Sequence, residues 1–376
     1  MYFFVSFLTV NIVMGVLVAI NANIAFGRLF AHRLPFLLAV FLFTQFYWLT
    51  RLVGRRLDIA LPSFIFYIAS CALAIFLLAV LTIVFADFIV LLARVIPPLK
   101  PLDQFLKTHP VQVGFVVLAL VVAQFIWGYY RAHTPRFTQY SLTLPVKEDL
   151  RIIHLSDLHV SSFTSTKFLN NLVDKINDQR PDLIFITGDI IDSDLSPYLD
   201  KKVGDIFLRL ESKYGVYASM GNHDYYGGDW REAEEAFEAS GMTVLIDEMV
   251  QLDEAGITLI GRDDYSSRRF RKNGRAGLES ILANNDRDYP LLIIDHQPRA
   301  LAEAISNKAS LQLSGHTHNG QIFPANLLIA KLYKKGWGLL EENGFSLIVT
   351  CGVGTWGPPV RTNSYSEIVI VDVKKQ

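Results

Sequence analysis

The chain has 376 residues, 51% of them hydrophobic, with 35 Lys or Arg against 36 Asp or Glu. That length exceeds one ordinary domain and that apolar content exceeds the norm for a purely soluble protein, while a formal net charge of −1 gives nucleic-acid binding no footing. Two cysteines, Cys71 in an apolar run and Cys351 in a Gly-rich loop, exclude a disulfide framework and Cys-based zinc sites.

The charge is divided unevenly. Up to Asp149 there are eleven Lys or Arg against five Asp or Glu, and beyond it twenty-four against thirty-one. The first part is basic and apolar, the second acidic and soluble in character. Four stretches reach the roughly 20 apolar residues that a helix needs to cross about 30 Å of hydrocarbon: residues 2–26, 35–52, 61–85 and 111–130. Residues 1–26 lack a basic start and are too long for a cleavable leader, so a retained span is expected. Trp48, Trp127, Tyr129 and Tyr130 near the span ends suit the headgroup layer. The third run stays apolar past Asp87 to Arg94; the span is expected to end near Phe85 with Asp87 at the interface. Asn11, Asn21, Asn23 and Gln124 are read as interhelical hydrogen-bonding groups. An even number of spans puts both chain ends on one side, and the loop cations, six on one side against five on the other, set no orientation.

From Leu150 the pattern changes to short β-like runs at 151–155, 182–187, 215–219, 257–260, 291–294, 311–313, 346–350 and 367–373, with helical periodicity at 167–177 and 229–239. The expected organisation is a four-helix transmembrane region over 1–131, a linker over 132–149 and an α/β domain over 150–376, with sites on loops at strand ends.

Clusters of Asp, Asn and His follow those strands. Asp157 and His159 come after the first, Asp189 after the second, and Asn222, His223 and Asp224 after the third. His296, then His316 and His318, follow two later ones. Every cluster lies at the carboxyl end of a strand, so a single sheet edge is expected to gather them. Mixed carboxylate, carboxamide and imidazole donors suit divalent Mn, Fe, Zn or Co. Two such cations about 3.5–4 Å apart polarise a phosphoryl group and lower the pKa of a water toward neutrality. Asp189 is the natural carboxylate to bridge them.

The order Asp-x-His, Gly-Asp, Gly-Asn-His-Asp, His, Gly-His-x-His resembles that of the calcineurin-like metallophosphoesterase superfamily over residues 151–373. Stretches 154–159, 295–298, 314–321 and 354–361 are similar to its bacterial membrane-associated branch. The resemblance implies a β-sandwich flanked by helices. It implies one metal on Asp157, His159, Asp189 and His318, and a second on Asp189, Asn222, His296 and His316. It makes His223 the histidine that stabilises the transition state or protonates the leaving oxygen, with Asp224 orienting it. His154 is expected near the sheet interior; Asp192 and Asp194 are expected to cap a helix, and Asp263 and Asp264 match no metal role.

Two segments bear on substrate. Arg268, Arg269, Arg271, Lys272 and Arg275 around Phe270 read as a clamp for anionic groups or as a solvated loop. Leu327, Leu328, Ile329, Leu332 and Tyr333 interleave with Lys331, Lys334 and Lys335 ahead of Trp337, the composition of an interfacial segment or of a surface helix packed on the sheet. The expected function is a membrane-anchored dinuclear phosphoesterase in a bacterial cytoplasmic membrane. Its expected partners are membrane lipid and a phosphodiester or pyrophosphate substrate, lipid-linked as in a UDP-diacylglucosamine-type precursor. A tethered phosphatase or nucleotide phosphodiesterase acting on soluble substrates is the competing enzyme reading, and a non-catalytic scaffold the competing non-enzyme one.

Overall fold

The computed structural model describes residues 2–56, 62–283 and 288–376. Met1, where the expected transmembrane region begins, and Leu61, where the third expected span begins, lie outside the described residues. The chain divides into two compact units, Met1–Tyr129 with Gly357–Val360, and Tyr130–Trp356 with Arg361–Gln376.

The helices of the apolar region are α1 (Tyr2–Phe26), α2 (Arg33–Arg56), α3 (Ser63–Val95), α4 (Lys100–Thr108) and α5 (Pro110–His133). All but α4 are long and apolar enough to cross a membrane. Helix α3 runs through Asp87 to Val95, 33 residues in all, because no breaker stands before Pro97 and Pro98. Close helix approach rests on small residues. A Cβ on Gly15 of α1 would stand 2.6 Å from Thr44 Oγ1 of α2. Gln124 of α5 donates to Thr82 of α3 at 2.9 Å, the expected interhelical bond, whereas Asn21 spends its amide on Leu17 O of its own helix.

The second unit holds twelve strands among the described residues: β1 (Arg136–Leu144), β2 (Leu150–Leu155), β3 (Leu183–Thr187), β4 (Val216–Ser219), β5 (Met242–Val244), β6 (Glu248–Leu252), β7 (Ile257–Gly261), β8 (Leu291–Ile294), β9 (Ala309–Ser314), β10 (Gly338–Glu342), β11 (Phe345–Val349) and β12 (Glu367–Lys375). They form two six-stranded mixed sheets in the orders β1-β12-β2-β3-β4-β5 and β10-β11-β9-β8-β7-β6. Its helices are α6 (Thr166–Asn177), α7 (Ser196–Asp200), α8 (Val203–Phe207), α9 (Asn222–Tyr226), α10 (Trp230–Glu238), α11 (Leu278–Leu282), α12 (Leu301–Ser306) and α13 (Ala325–Leu332).

Alternate residues of each central strand face opposite layers. Ile152, Leu183 and Phe185 join Leu259, Ile294 and Leu313 in a core between the sheets. Ile153, Leu155, Ile184 and Ile186 pack instead with Leu169, Leu172, Phe207 and Phe237 of the covering helices. The second sheet's outer face meets Leu278 and Leu301. Strands buried on both faces read as continuous apolar runs, which is why the central ones stand out in the sequence.

Residues 132–149, expected as a linker, contain β1. This strand pairs in parallel with β12 from Arg136↔Glu367 to Leu144↔Lys375, leaving only residues 134–135 between α5 and β1. The expectation missed it because only Tyr140, Leu142 and Leu144 alternate as an apolar set, at the edge of a sheet where one face suffices.

Candidate metal centre

Two sheet edges, not one, gather the motif residues. Asp157 and His159 leave β2, Asp189 leaves β3 and Asn222 leaves β4, all in the first sheet; His296 leaves β8 and His316 and His318 leave β9 in the second. Backbone bonds stitch these loops together: Asp157 N–H to Gly188 O at 3.0 Å, His159 N–H to Asp189 O at 3.0 Å, and Gly315 N–H to His296 O at 2.9 Å. Asp157, His159, Asp189, His316 and His318 all adopt left-handed backbone, with φ of 53°, 45°, 52°, 68° and 49°. Such conformations cost roughly 1–2 kcal/mol per residue and concentrate at functional sites. At Gly221 and Gly315 the need is space: a Cβ would stand 2.2 Å from Asp189 Oδ1 and 2.3 Å from Asp157 Oδ2 respectively.

The donor atoms converge in two groups. In the first, His159 Nε2 lies 3.1 Å from His318 Nε2, and Asp157 Oδ1 lies 3.4 Å from His318 Nε2 and 3.9 Å from His159 Nε2. In the second, His296 Nε2 lies 3.1 Å from Asn222 Oδ1, 3.2 Å from Asp189 Oδ2 and 3.2 Å from His316 Nδ1. The same Asp189 Oδ2 is 3.7 Å from His159 Nε2 of the first group. Donors bound to one cation at about 2.1 Å stand about 3.0–3.4 Å apart, so the set fits divalent ions. Asp157, His159, Asp189, Asn222, His296 and His318 are buried and His316 nearly so.

The electrostatics point the same way. Burial would raise both carboxyls, but His318 and His296 hold Asp157, and His296, His223 and His159 hold Asp189, below the usual carboxylate range. Burial and the neighbouring His296 push His316 down to about 4, leaving it neutral, the form that ligates cations. His296 Nδ1 donates to Thr187 O across the sheets at 2.8 Å, which turns Nε2 toward the other donors. His154, buried between the sheets, binds Thr187 Oγ1 at 2.9 Å and contacts none of the donors.

His223 stands at the rim, part-exposed, its ring 4.7 Å from that of His159. The carboxylate that faces it is Asp192, not Asp224. Asp192 Oδ1 lies 3.1 Å from His223 Nδ1 and makes a longer 3.4 Å approach to His159 Nδ1. Asp224 is turned away because the loop backbone consumes it: it accepts N–H bonds from Asp189 at 2.9 Å, Ile191 at 3.0 Å and Gly221 at 2.8 Å. Burial and the adjacent Asp189 raise it to about 7. Asp194 alone serves the turn into α7, accepting from Ser196 N–H at 3.0 Å. Only the three-residue step from Asp189 to Asp192 could have singled out Asp192 in the sequence.

Two cations of the basic run, read as an anion clamp or as a solvated loop, are held in ion pairs. Arg275, its side chain covered, holds Asp295 through both Nη atoms at 2.9 and 2.5 Å, and Arg271 holds Asp263 at 2.6 Å. Both guanidiniums brace the loop, and Arg268, Arg269 and Lys272 remain exposed. Phe270 stacks on Tyr225 at 5.9 Å between ring centroids. Arg361, fully buried, donates to Cys351 O at 2.7 Å and Gly352 O at 3.2 Å, with Nη2 3.2 Å from His318 Nδ1. It braces the loop whose Gly352 backs Asp157. Around the mouth stand the exposed Tyr226 and Trp356, 5.2 and 6.2 Å from the His223 ring, and Tyr333, 6.2 Å from the His316 ring.

Residues 150–320 match the family model described as calcineurin-like phosphoesterase. A Helicobacter pylori protein named as an uncharacterized metallophosphoesterase is 32% identical over 82% of this chain and 82% of its own length. A Danio rerio protein named as a transmembrane protein with metallophosphoesterase domain is 30% identical over 69% of this chain and 62% of its own length. The chain belongs to the calcineurin-like phosphoesterase family. It joins a metallophosphoesterase domain to four helices long and apolar enough to cross a membrane.

Proposed function

We propose that the chain is a membrane-anchored phosphoesterase with a dinuclear metal centre, cleaving a phosphodiester or pyrophosphate bond. Asp157, His159, Asp189 and His318 would hold one cation, and Asp189, Asn222, His296 and His316 the other. The observation that carries this is Asp189 Oδ2, within 3.7 Å of a donor in one group and 3.2 Å of a donor in the next. Two divalent ions of Mn, Fe, Zn or Co supply Lewis-acid polarisation of the phosphoryl group and acidify water when bound.

The chain's own part is positioning and proton transfer. Asp192 accepts a hydrogen bond from His223 Nδ1–H, which orients the ring. As water adds to phosphorus, losing a proton to solvent, and the opposite P–O bond breaks, His223 Nε2 would pass its proton to the departing oxygen. Arg268, Arg269 and Lys272 are the cations left to meet a distal anionic group. The substrate is read as lipid-linked because the domain follows four helices long and apolar enough to span and carries an exposed apolar helix near its metal donors; a UDP-diacylglucosamine-type precursor in a bacterial cytoplasmic membrane is the candidate that the family resemblance implies.

The test uses the full chain with His223→Ala. About two metals per chain in both proteins, with turnover reduced 10²-fold or more in the variant, is the expected result. Wild-type protein that binds metal and turns over no phosphoester defeats the reading. Equal kcat/KM on long-chain and short-chain substrates defeats its lipid-linked part and favours a tethered enzyme for soluble phosphoesters.

A further inference from the structure

Helix α13 has no buried residue. Leu327, Leu328 and Leu332 are 62%, 57% and 64% exposed, and Phe323 just before them is 51% exposed. None of the four belongs to a hydrophobic core cluster. A surface helix packed on its own sheet would bury one stripe; this one turns its leucines to solvent. Residues 323–337 contain three lysines, Lys331, Lys334 and Lys335, and no acidic residue, although the domain around them is acidic. Trp337 closes the segment, its indole N–H held by Glu367 at 3.1 Å.

The segment is also seated on the metal-donor turn. A Cβ on Gly320 would lie 2.3 Å from Asn326 N of α13, and Thr317 donates to Gly336 O at 2.6 Å. Tyr333, at the end of α13, faces His316. Movement or immersion of α13 therefore acts on the loop that carries His316 and His318. Only residues 134–135 separate α5 from β1, so the chain itself keeps this domain at a bilayer surface.

We propose that α13 lies in the headgroup layer of an anionic bilayer, with Leu327, Leu328 and Leu332 among the acyl chains and Lys331 and Lys335 toward lipid phosphates. It thereby sets the metal centre at the depth where a phosphoester attached to a lipid resides. This rests on reading α1, α2, α3 and α5 as membrane spans, and it stands apart from the hydrolytic chemistry.

The experiment places an environment-sensitive fluorophore at position 328 by Leu328→Cys in the full chain, reconstituted in vesicles of phosphatidylglycerol and phosphatidylcholine. The labelled parent chain serves as blank for Cys71 and Cys351, and Asn343→Cys, in the exposed turn between β10 and β11, as the aqueous control. Expected are a blue-shifted label at 328, quenching by lipids spin-labelled near the headgroup, and aqueous iodide quenching about fivefold weaker than at 343. Lys331→Glu with Lys335→Glu should reverse that protection in anionic vesicles. Leu332→Cys repeats the measurement should Leu328→Cys fold poorly. Iodide quenching at 328 equal to that at 343 overturns the proposal. So does protection from both quenchers, which would mean that protein, a second copy included, covers the helix. Turnover measured on the same vesicles reports separately on the phosphoesterase reading.

Discussion

Two aspartates, Asp192 three residues after Asp189 and Asp224 next to His223, trade roles between sequence and structure. Asp224 adjoins His223 in the chain and is read as its partner, yet the turn that starts α9 points its carboxylate at three backbone N–H groups. Asp192, read as a cap, reaches His223 instead. Adjacent residues at a helix start face different directions, so chain proximity is a poor guide to side-chain contact. The two sites separate by experiment. Asp224→Ala strands buried donors at about 1–3 kcal/mol each, so denaturant unfolding should show a loss of several kcal/mol. Asp192→Asn should leave the unfolding midpoint nearly unchanged while lowering kcat and weakening metal affinity by about 10–100-fold, through His223 and His159 together. Unchanged kcat at saturating metal would remove Asp192 from the proton-transfer arrangement.

At the scale of elements, the donors were legible because each follows an apolar strand buried on both faces. Their division between two sheets was not, since strand order is set by packing that leaves no local trace. The basic loop shows the same limit. Five cations within eight residues look alike in the sequence, but the sheet places Asp295 beneath Arg275 and the segment after β7 places Asp263 beneath Arg271. Arg275→Ala should therefore act on stability, by about 3–5 kcal/mol for an orphaned buried partner, and be read by unfolding. Arg269→Ala should leave the unfolding midpoint in place and raise KM for an anionic substrate severalfold. If Arg275→Ala raises KM without destabilising the fold, the loop is a clamp after all. The close approach of Gly221 to Asp189 gives another element-scale expectation. Gly221→Ala should displace the shared carboxylate and cut metal content below two per chain, measured by elemental analysis.

For the whole molecule the expectation to test is parity. Among the described residues four helices are long and apolar enough to span, while the amphipathic α4 is a nine-residue helix, too short to cross about 30 Å at 1.5 Å per residue. An even count returns the chain to the side from which it set out. Reporters placed ahead of α1 and beyond β12 should therefore light up in the same compartment, as read by protease protection or a compartment-specific enzyme fusion. Opposite compartments would mean that one of the four helices does not span, and α2 would be the first to suspect because it is the least apolar of the four. The near-balance of loop cations leaves orientation weakly specified by the positive-inside effect, so the folded metallophosphoesterase domain joins the contest. A domain that folds around its donors before translocation resists crossing, and moving two arginines between the α1–α2 and α2–α3 loops should leave the side unchanged if folding governs and invert it if the loops do.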